Sequence, residues 1–182
     1  KFISVMPSNV YGINDHFNDL QNNHVMPALL KKVKVNCGFE IDIHKGIKPG
    51  SGIGSSAASS AGTVYAINKL IGEPFNNNQL IYFASRGEIA SSGTMHADNV
   101  SAVILGGFTF VRNSLEKDFV KLDYPNDLVF SIIRQKIEIK TKDSRSIIKN
   151  QVSLNDMIQQ SANLGAFVHA LNKKDYGLIE RS

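Results

Sequence analysis

The chain has 182 residues, of which 42% are hydrophobic and 20% charged, so its composition is globular and excludes a disordered or fibrous protein. Its net charge of +4 is not concentrated into a tail, and its single cysteine, Cys37, excludes an intramolecular disulfide and favours a reducing compartment. No apolar run reaches the ~18 residues of a membrane span and no signal peptide is visible, so we expect a cytoplasmic protein with no membrane partner.

Hydrophobic periodicity predicts a mixed α+β fold. The predicted elements are a helix over 24–35, a half-buried strand over 39–44, helices over 56–71 and 80–91, a buried strand over 128–135, a short helix over 140–148 and a long helix over 153–171. The segment 101–112 is compatible with a hairpin that turns at Gly106-Gly107 and equally with a short helix followed by one strand. The polar stretch 113–126 predicts a domain boundary. Both chain ends are expected to be cuts in a longer protein.

Two of the predicted helices carry apolar stripes. In the helix over 56–71 the stripe consists of Ala58, Ala61, Tyr65, Ile67, Leu70 and Ile71. In the helix over 153–171 it consists of Leu154, Met157, Ile158, Leu164, Val168 and Leu171. Gly72 is expected to end the first helix. Ser153 and Asp156 resemble a capping box at the start of the second, with Asp in place of the usual Glu.

A stretch rich in glycine and serine, KPGSGIGSSAASSAG at residues 48–62, lies between the predicted strand 39–44 and the helix that follows. A helix N-terminus has amide groups without internal acceptors and a partial positive charge, and glycines let the backbone approach a phosphate closely. Ser55 and Ser56 can cap the helix or offer a hydroxyl to Mg²⁺. The stretch therefore predicts a phosphate-binding loop. The alternative is a flexible turn whose small residues serve packing.

Two common phosphate-binding motifs are excluded by the residues of this loop. A Walker A loop ends in Gly-Lys-Ser/Thr, whereas Gly54 is followed by two serines. A dinucleotide fingerprint has the spacing G-x-G-x-x-G, whereas Gly50, Gly52 and Gly54 have the spacing G-x-G-x-G. The loop therefore belongs to neither type.

The string PGSGIGSSAAS, residues 49–59, resembles the P-x-x-x-G-L-G-S-S-A-A motif of the GHMP kinases, with Ile53 where Leu is usual. The resemblance implies that the loop holds the phosphates of ATP. The residues so implied are Pro49, Gly50, Ser51, Gly52, Ile53, Gly54, Ser55 and Ser56. In that family the serine that matches Ser56 commonly helps to bind Mg²⁺, so the resemblance also implies a metal-binding role for Ser56.

A second string, GEIASSGTMHADNVSAVILGGFTFVR at residues 87–112, resembles the homoserine kinase branch of that family. The resemblance implies that Glu88 binds Mg²⁺ at the catalytic centre. It also implies that His96, Asp98 and Asn99 bind the substrate, and that Asn99 has a catalytic role as well. The chemistry of Glu88 agrees, because Mg²⁺ prefers carboxylate oxygens, although a glutamate on a helix is otherwise most often a solvated charge.

Weaker matches extend the resemblance beyond these two strings. Arg145 matches the position of a substrate-binding arginine, and its planar fork fits a carboxylate, although a surface arginine is an equal reading. Asn23 matches a position beside the adenine pocket. No general base is implied: Asp98 is expected to position the substrate and not to take its proton.

The resemblance implies two domains, both incomplete: an N-terminal, ATP-binding one over 1–120, similar to domain 2 of ribosomal protein S5, and a ferredoxin-like C-terminal one over 121–182. It implies ATP-dependent phosphorylation of the side-chain hydroxyl of L-homoserine to O-phospho-L-homoserine, a step of threonine biosynthesis, with ATP and Mg²⁺ as cofactors. A homodimer is compatible with this function. In the family, segments at both ends contribute further substrate contacts, and this chain is expected to lack them, so whether the chain by itself is active stays open.

Two further functions stay open at this point. One is another small-molecule GHMP kinase, acting on mevalonate or a sugar, although the His-x-Asp-Asn-Val string favours homoserine. The other is a non-catalytic nucleotide- or RNA-binding module of the same fold. The sequence has no run of aromatic residues interleaved with Lys and Arg, so we expect no nucleic-acid partner.

Overall fold

The computed structural model describes residues 3–8, 38–44, 46–47, 51–92, 94–133, 147–149 and 151–182. The elements of this part of the chain are β1 (Ile3–Ser8), β2 (Gly38–Ile43), α1 (Ser55–Leu70), α2 (Asn77–Ser92), α3 (Asp98–Leu105), β3 (Phe108–Asn113), β4 (Asp118–Leu122), α4 (Leu154–Lys173) and α5 (Tyr176–Glu180). Helices and antiparallel strands occur together, which confirms the α+β class. The helix predicted over 24–35 lies outside the described residues.

Strands β1 and β2 form an antiparallel pair in which Ile3 lies opposite Ile43. The strand predicted over 39–44 is thereby confirmed. Phe39 and Ile41 pack against the hydrophobic core, whereas Asp42 is exposed, because successive side chains of a strand point to opposite faces. This strand leads directly into the glycine-rich loop.

Helix α1 confirms the helix predicted after the loop, but its buried face differs from the predicted stripe. The buried apolar residues are Ala57, Ala61, Val64 and Ile67, and they recur at the three- and four-residue spacing of one helix face. Tyr65 and Leu70, although they belong to the apolar stripe, are 47% and 44% exposed. The buried face is built from small residues because it packs closely against two other helices.

Helix α2 begins at Asn77, three residues before the predicted start. Asn76 and Gln79 form a reciprocal cap: the Gln79 amide donates to Asn76 Oδ1 and the Asn76 amide donates to Gln79 Oε1, both at 3.0 Å. These bonds satisfy two amide groups that the helix itself leaves without acceptors. Just before this start, Asn68 of α1 holds Phe75 through a hydrogen bond to its amide and another to its carbonyl, each of 3.1 Å.

The hydrophobic core lies among the first three helices. Its buried members are Ala57, Ala61, Val64, Ile67, Leu80, Ile81, Phe83, Ala84, Ala97 and Val100. Partly buried residues of β2, β3 and β4 pack against it, so the strands cover this helical layer. The core therefore fixes the relative positions of α1, α2 and α3, on which the candidate site residues lie.

The segment 101–112 adopts the second of its two predicted alternatives. Residues up to Leu105 belong to α3, and β3 begins at Phe108 and pairs with β4. Gly106 is the C-cap of α3, and the Lys121 ammonium group donates to the Leu105 carbonyl at 2.9 Å. A cation at this end of a helix is stabilised by the helix dipole.

The strand predicted over 128–135 is wrong for its described part, 128–133, which has no regular secondary structure. Val129 and Ile133 are 89% and 93% exposed. An apolar run forms a strand only where a second strand satisfies its backbone groups, and none pairs with 128–133 in the described part of the chain. Of the short helix predicted over 140–148, only residues 147–148 are described, and they lie in a turn.

Helix α4 confirms the predicted long helix and, in part, its predicted cap. The Asp156 amide donates to Ser153 Oγ at 3.1 Å, while the Ser153 hydroxyl donates to the Asp156 carboxylate at 2.7 Å. The predicted stripe is buried only towards its C-terminal end: Leu171 is buried, whereas Leu154 and Met157 are exposed.

Residues of the C-terminal part of the chain contact the strands through an aromatic cluster centred on Phe108. Tyr124, Phe130 and Phe167 lie with their ring centroids 5.5–5.8 Å from the Phe108 ring. Such edge-on and tilted contacts add to the stabilisation that burial of the rings provides. Within the residues described, no helix combines the length and the hydrophobicity needed to cross a membrane.

Helix α5 is linked to the segment that follows β4 by a hydrogen bond of 2.6 Å, from the Tyr176 hydroxyl to Asp127 Oδ1. This bond lowers the pKa of Asp127 and raises the pKa of Tyr176. The stabilising effect of the Asp127 carboxylate is therefore complete above its unfolded pKa of 3.8 and is lost as the pH falls through its lowered folded value.

Candidate active site

The glycine-rich loop connects β2 to α1 and has a backbone that glycine alone adopts readily. Gly52 and Gly54 have φ angles of +74° and +76°, which are strained for residues with a Cβ atom. Ser51 is half-buried and its hydroxyl finds no hydrogen-bond partner among the described residues. Ile53 is exposed. Pro49 and Gly50 lie outside the described residues.

Helix α1 starts at Ser55, and its N-cap is Gly54, whose carbonyl accepts a 2.9 Å hydrogen bond from the Ala58 amide. Gly54 has no side chain with which to cap the helix. The first turn contains no acidic residue. Its amide groups have no acceptor within the helix and carry the positive end of the helix dipole, so this N-terminus favours an anion. The predicted helix start after the loop is confirmed.

Ser55 does not cap the helix, contrary to one of the two roles predicted for it. Its hydroxyl donates to the Ile47 carbonyl at 2.9 Å, and the side chain is buried. Ile47 precedes the loop and Ser55 follows it, so the bond joins the two ends of the loop. The predicted contact of Ser55 with phosphate stays a prediction.

Removal of this hydroxyl by Ser55→Ala is expected to lower the free energy of unfolding by about 1 kcal/mol, since a hydrogen bond that closes the loop is lost. Urea unfolding followed by circular dichroism measures the change. Ser161→Ala is the matched control, because Ser161 also donates to a carbonyl, that of Met157, but is exposed on α4. Equal losses in the two variants would contradict a structural role for the Ser55 bond.

Ser56 and Glu88, the two predicted Mg²⁺ ligands, are brought together from helices α1 and α2. The Ser56 hydroxyl donates to Glu88 Oε1 at 2.8 Å. Glu88 is 8% exposed, so its carboxylate is held largely away from solvent. Among the described residues no three His, Cys, Asp or Glu side chains cluster as metal ligands. Two hard oxygen donors fit Mg²⁺, which commonly takes one or two protein ligands and completes its shell with water and phosphate oxygens.

The start of helix α3 lies beside the glycine-rich loop. Asp98 and Asn99 are its first two residues and both are exposed. A Cβ atom added at Gly54 would lie 3.7 Å from Asn99 Oδ1, which places the Asn99 side chain against the loop. His96 is half-buried, and its Nε2 forms a hydrogen bond with Thr94 Oγ1. Arg145 and Asn23 lie outside the described residues.

A cavity of about 590 Å³ opens next to the loop. The residues that line it are Ile43, His44, Ile47, Ile53, Gly54, Ser55, Ala58, Ser59, Gly62, Tyr65, Ala66, Asn99, Ala102 and Val103. Two of the lining residues, His44 just after β2 and Tyr65 on α1, were not predicted from the sequence. One signal was present: Gly62 lies inside a helix, where glycine costs about 1 kcal/mol relative to alanine. Gly62 lines the cavity, and the absence of a side chain there leaves space on this face of α1.

Residues 22–107 match the model of the GHMP kinases N-terminal domain. The chain is 34% identical over 167 residues to a homoserine kinase of Chlorobium phaeobacteroides, a match that covers 88% of this chain and 52% of that protein. The solved homoserine kinase of Cytophaga hutchinsonii matches with a TM-score of 0.89 and 34% identity, over 98% of this chain and 61% of that one. The chain belongs to the GHMP kinase family.

A homoserine kinase of Methanococcus maripaludis gives a similar match, 35% identical over 157 residues. The match covers 86% of this GHMP kinase chain and 52% of that enzyme. The chain spans about half the length of the curated relatives that it matches. The glycine-rich loop and the Ser56–Glu88 pair both lie within the part of the chain that the family model covers.

Proposed function

We propose that the full-length protein transfers the γ-phosphoryl group of ATP to the side-chain hydroxyl of L-homoserine, giving O-phospho-L-homoserine. The observation that carries the proposal is the Ser56–Glu88 contact at the helix N-terminus that follows the loop. Here the backbone amides of a helix N-terminus, which favour an anion, lie beside two oxygen donors suited to Mg²⁺. Phosphoryl transfer requires both. The similarity to homoserine kinases supports homoserine as the acceptor.

The nucleotide would bind across the loop and the neighbouring cavity. Backbone amides from Gly50 to Ser56 would hold the phosphates, since the helix N-terminus favours an anion. The cavity is lined mainly by apolar side chains from β2, α1 and α3 and suits the flat base of ATP. Ile53 of the loop lines the cavity. Asn99 of α3, whose side chain lies against Gly54, lines it as well.

Ser56 and Glu88 would hold Mg²⁺, and their donor set fits that ion. Mg²⁺ bound to ATP supplies positive charge that neutralises the phosphate oxygens. The buried position of Glu88 strengthens its electrostatic effect, because water screens a buried carboxylate less than an exposed one. The Ser56 hydroxyl also fixes the orientation of the Glu88 carboxylate through their hydrogen bond.

Homoserine would bind at the start of α3, with His96, Asp98 and Asn99 around it and Arg145 pairing with its carboxylate. Asn99 would act catalytically by orienting the substrate hydroxyl, because its side chain lies against Gly54 and so beside the phosphate loop. Its amide can both donate and accept a hydrogen bond, as a hydroxyl partner requires. Asp98 would position the substrate.

The same proposal includes a place in threonine biosynthesis, a cytoplasmic location and a homodimer. It retains the division into an N-terminal domain over 1–120 and a C-terminal domain over 121–182. It includes no nucleic-acid and no membrane partner. Binding of ATP and homoserine accounts for the loop, the cavity and the serine–glutamate pair together.

A coupled assay of ADP formation by the full-length protein tests the acceptor. We expect turnover with ATP and L-homoserine, and at least about a hundredfold lower kcat/KM with mevalonate or galactose, since a misfit acceptor loses oriented contacts. Phosphorus NMR identifies the product as a phosphate monoester. Preferred turnover of mevalonate or galactose, or ATP binding without turnover of homoserine, would contradict the proposal.

A further inference from the structure

We infer that Thr109, a residue of strand β3, acts through Ser101 to position the start of α3 and thereby the substrate-binding residues Asp98 and Asn99. The inference rests on the proposed function for its link to homoserine. Ser101 is fully buried, and its hydroxyl donates to the Asp98 carbonyl at 2.9 Å. The Thr109 and Ser101 hydroxyl oxygens are 3.1 Å apart.

The direction of this pair of hydrogen bonds follows from the number of protons. A serine hydroxyl has one proton, and that of Ser101 is directed to the Asp98 carbonyl. Thr109 must therefore donate to Ser101 Oγ. The result is a chain of two hydrogen bonds that runs from β3, through the buried serine, to the first residue of α3.

The start of α3 depends on these two hydrogen bonds because the helix lacks the usual side-chain cap. Its N-cap is Ala97, which has no side-chain oxygen with which to bind the first-turn amides. Asp98 and Asn99 are exposed, so packing restrains them little. Ala97 and Val100 anchor the backbone on the core, but apolar contacts do not fix the rotation of the first turn as a directed hydrogen bond does.

The two hydrogen bonds also affect the surroundings of the glycine-rich loop, since Asn99 lies against Gly54 and lines the cavity. A first turn that shifts would move Asp98 and Asn99 together relative to the loop. Thr109 itself is not among the residues that line the cavity, so it is a positioning residue and touches no ligand there.

Thr109→Val and Thr109→Ser in the full-length protein test this inference. Valine has nearly the shape of threonine without the hydroxyl, and serine keeps the hydroxyl. We expect Thr109→Val to raise the KM for homoserine roughly five-fold, the effect of one lost hydrogen bond, with the KM for ATP changed less than about two-fold. Thr109→Ser is expected to restore the KM for homoserine.

Hydrogen exchange gives a second readout that needs no substrate. Thr109→Val is expected to speed exchange of the amides of Ser101 and Ala102, which bond to the carbonyls of Ala97 and Asp98, because this turn opens more often. Asn68→Ala is the control: it removes two hydrogen bonds to Phe75 and should lower stability without raising the KM for homoserine.

Two results would overturn the inference. One is an unchanged exchange rate at the amides of Ser101 and Ala102 in Thr109→Val, and the other is a Thr109→Ser variant as impaired as Thr109→Val. If the unaltered protein does not phosphorylate homoserine, the proposed function fails, and the exchange rates alone still decide whether Thr109 holds the first turn of α3.

Discussion

Replacement of Glu88 by glutamine in the full-length protein is expected to lower kcat for phosphoryl transfer by roughly a hundredfold or more. The substitution removes the negative charge of the buried side chain that we propose as a metal ligand, but keeps an oxygen that can accept the hydrogen bond from Ser56. The fold should therefore persist while the affinity for Mg²⁺ falls. Steady-state kinetics over a range of Mg²⁺ concentrations measures both effects, and circular dichroism checks the fold.

Glu73→Gln is the matched control for this prediction. Glu73 forms an ion pair of 2.7 Å with Lys69, and both side chains are about half exposed. Loss of such a surface pair costs at most about 1 kcal/mol of stability and should leave kcat unchanged. A Glu88→Gln variant that retained kcat within about three-fold of the unaltered protein would rule out Glu88 as the metal ligand.

The position of the site could be predicted from the sequence, but its internal bonding could not. The order of strand, glycine-rich loop and helix start is visible in the residues, and the structure confirms it. The approach of Glu88 to Ser56 was predicted through a family resemblance, because no local periodicity relates residues 32 positions apart. The bond from Ser55 to Ile47 was missed, since it depends on the path of the loop between them.

The errors in the predicted fold also have physical reasons. The two alternatives for 101–112 could not be separated, because Gly106 and Gly107 both adopt a positive φ, which suits a hairpin turn and a helix end alike. The run 128–133 has the composition of a buried strand, but pairing depends on a partner that lies elsewhere in the chain. The buried face of α1 includes small residues such as Ala57, and the apolar stripe read from the sequence does not include Ala57.

Gly107→Ala is expected to lower the free energy of unfolding by roughly 2–4 kcal/mol, for two reasons that add. Gly107 has a φ of +70°, a conformation in which any Cβ atom is strained. A Cβ atom there would also overlap Cε1 of Tyr124 and lie 2.9 Å from its Cζ, well inside contact distance. The Tyr124 ring packs at 5.5 Å from that of Phe108, so relieving the clash disturbs the aromatic cluster.

Gly72→Ala separates the two causes, because Gly72 has a φ of +86° but no atom within 4 Å of the added Cβ. This variant should lose only the backbone contribution, about 1–2 kcal/mol, and the difference between the two variants measures the clash. Adding Tyr124→Ala to Gly107→Ala should then cost less than the sum of the two single changes, since the ring that obstructs the Cβ atom is gone. Urea unfolding of the four variants gives the coupling. Equal losses for Gly72→Ala and Gly107→Ala would mean that the Tyr124 ring moves aside freely, and the aromatic cluster would then contribute little to holding the strands against the C-terminal part of the chain.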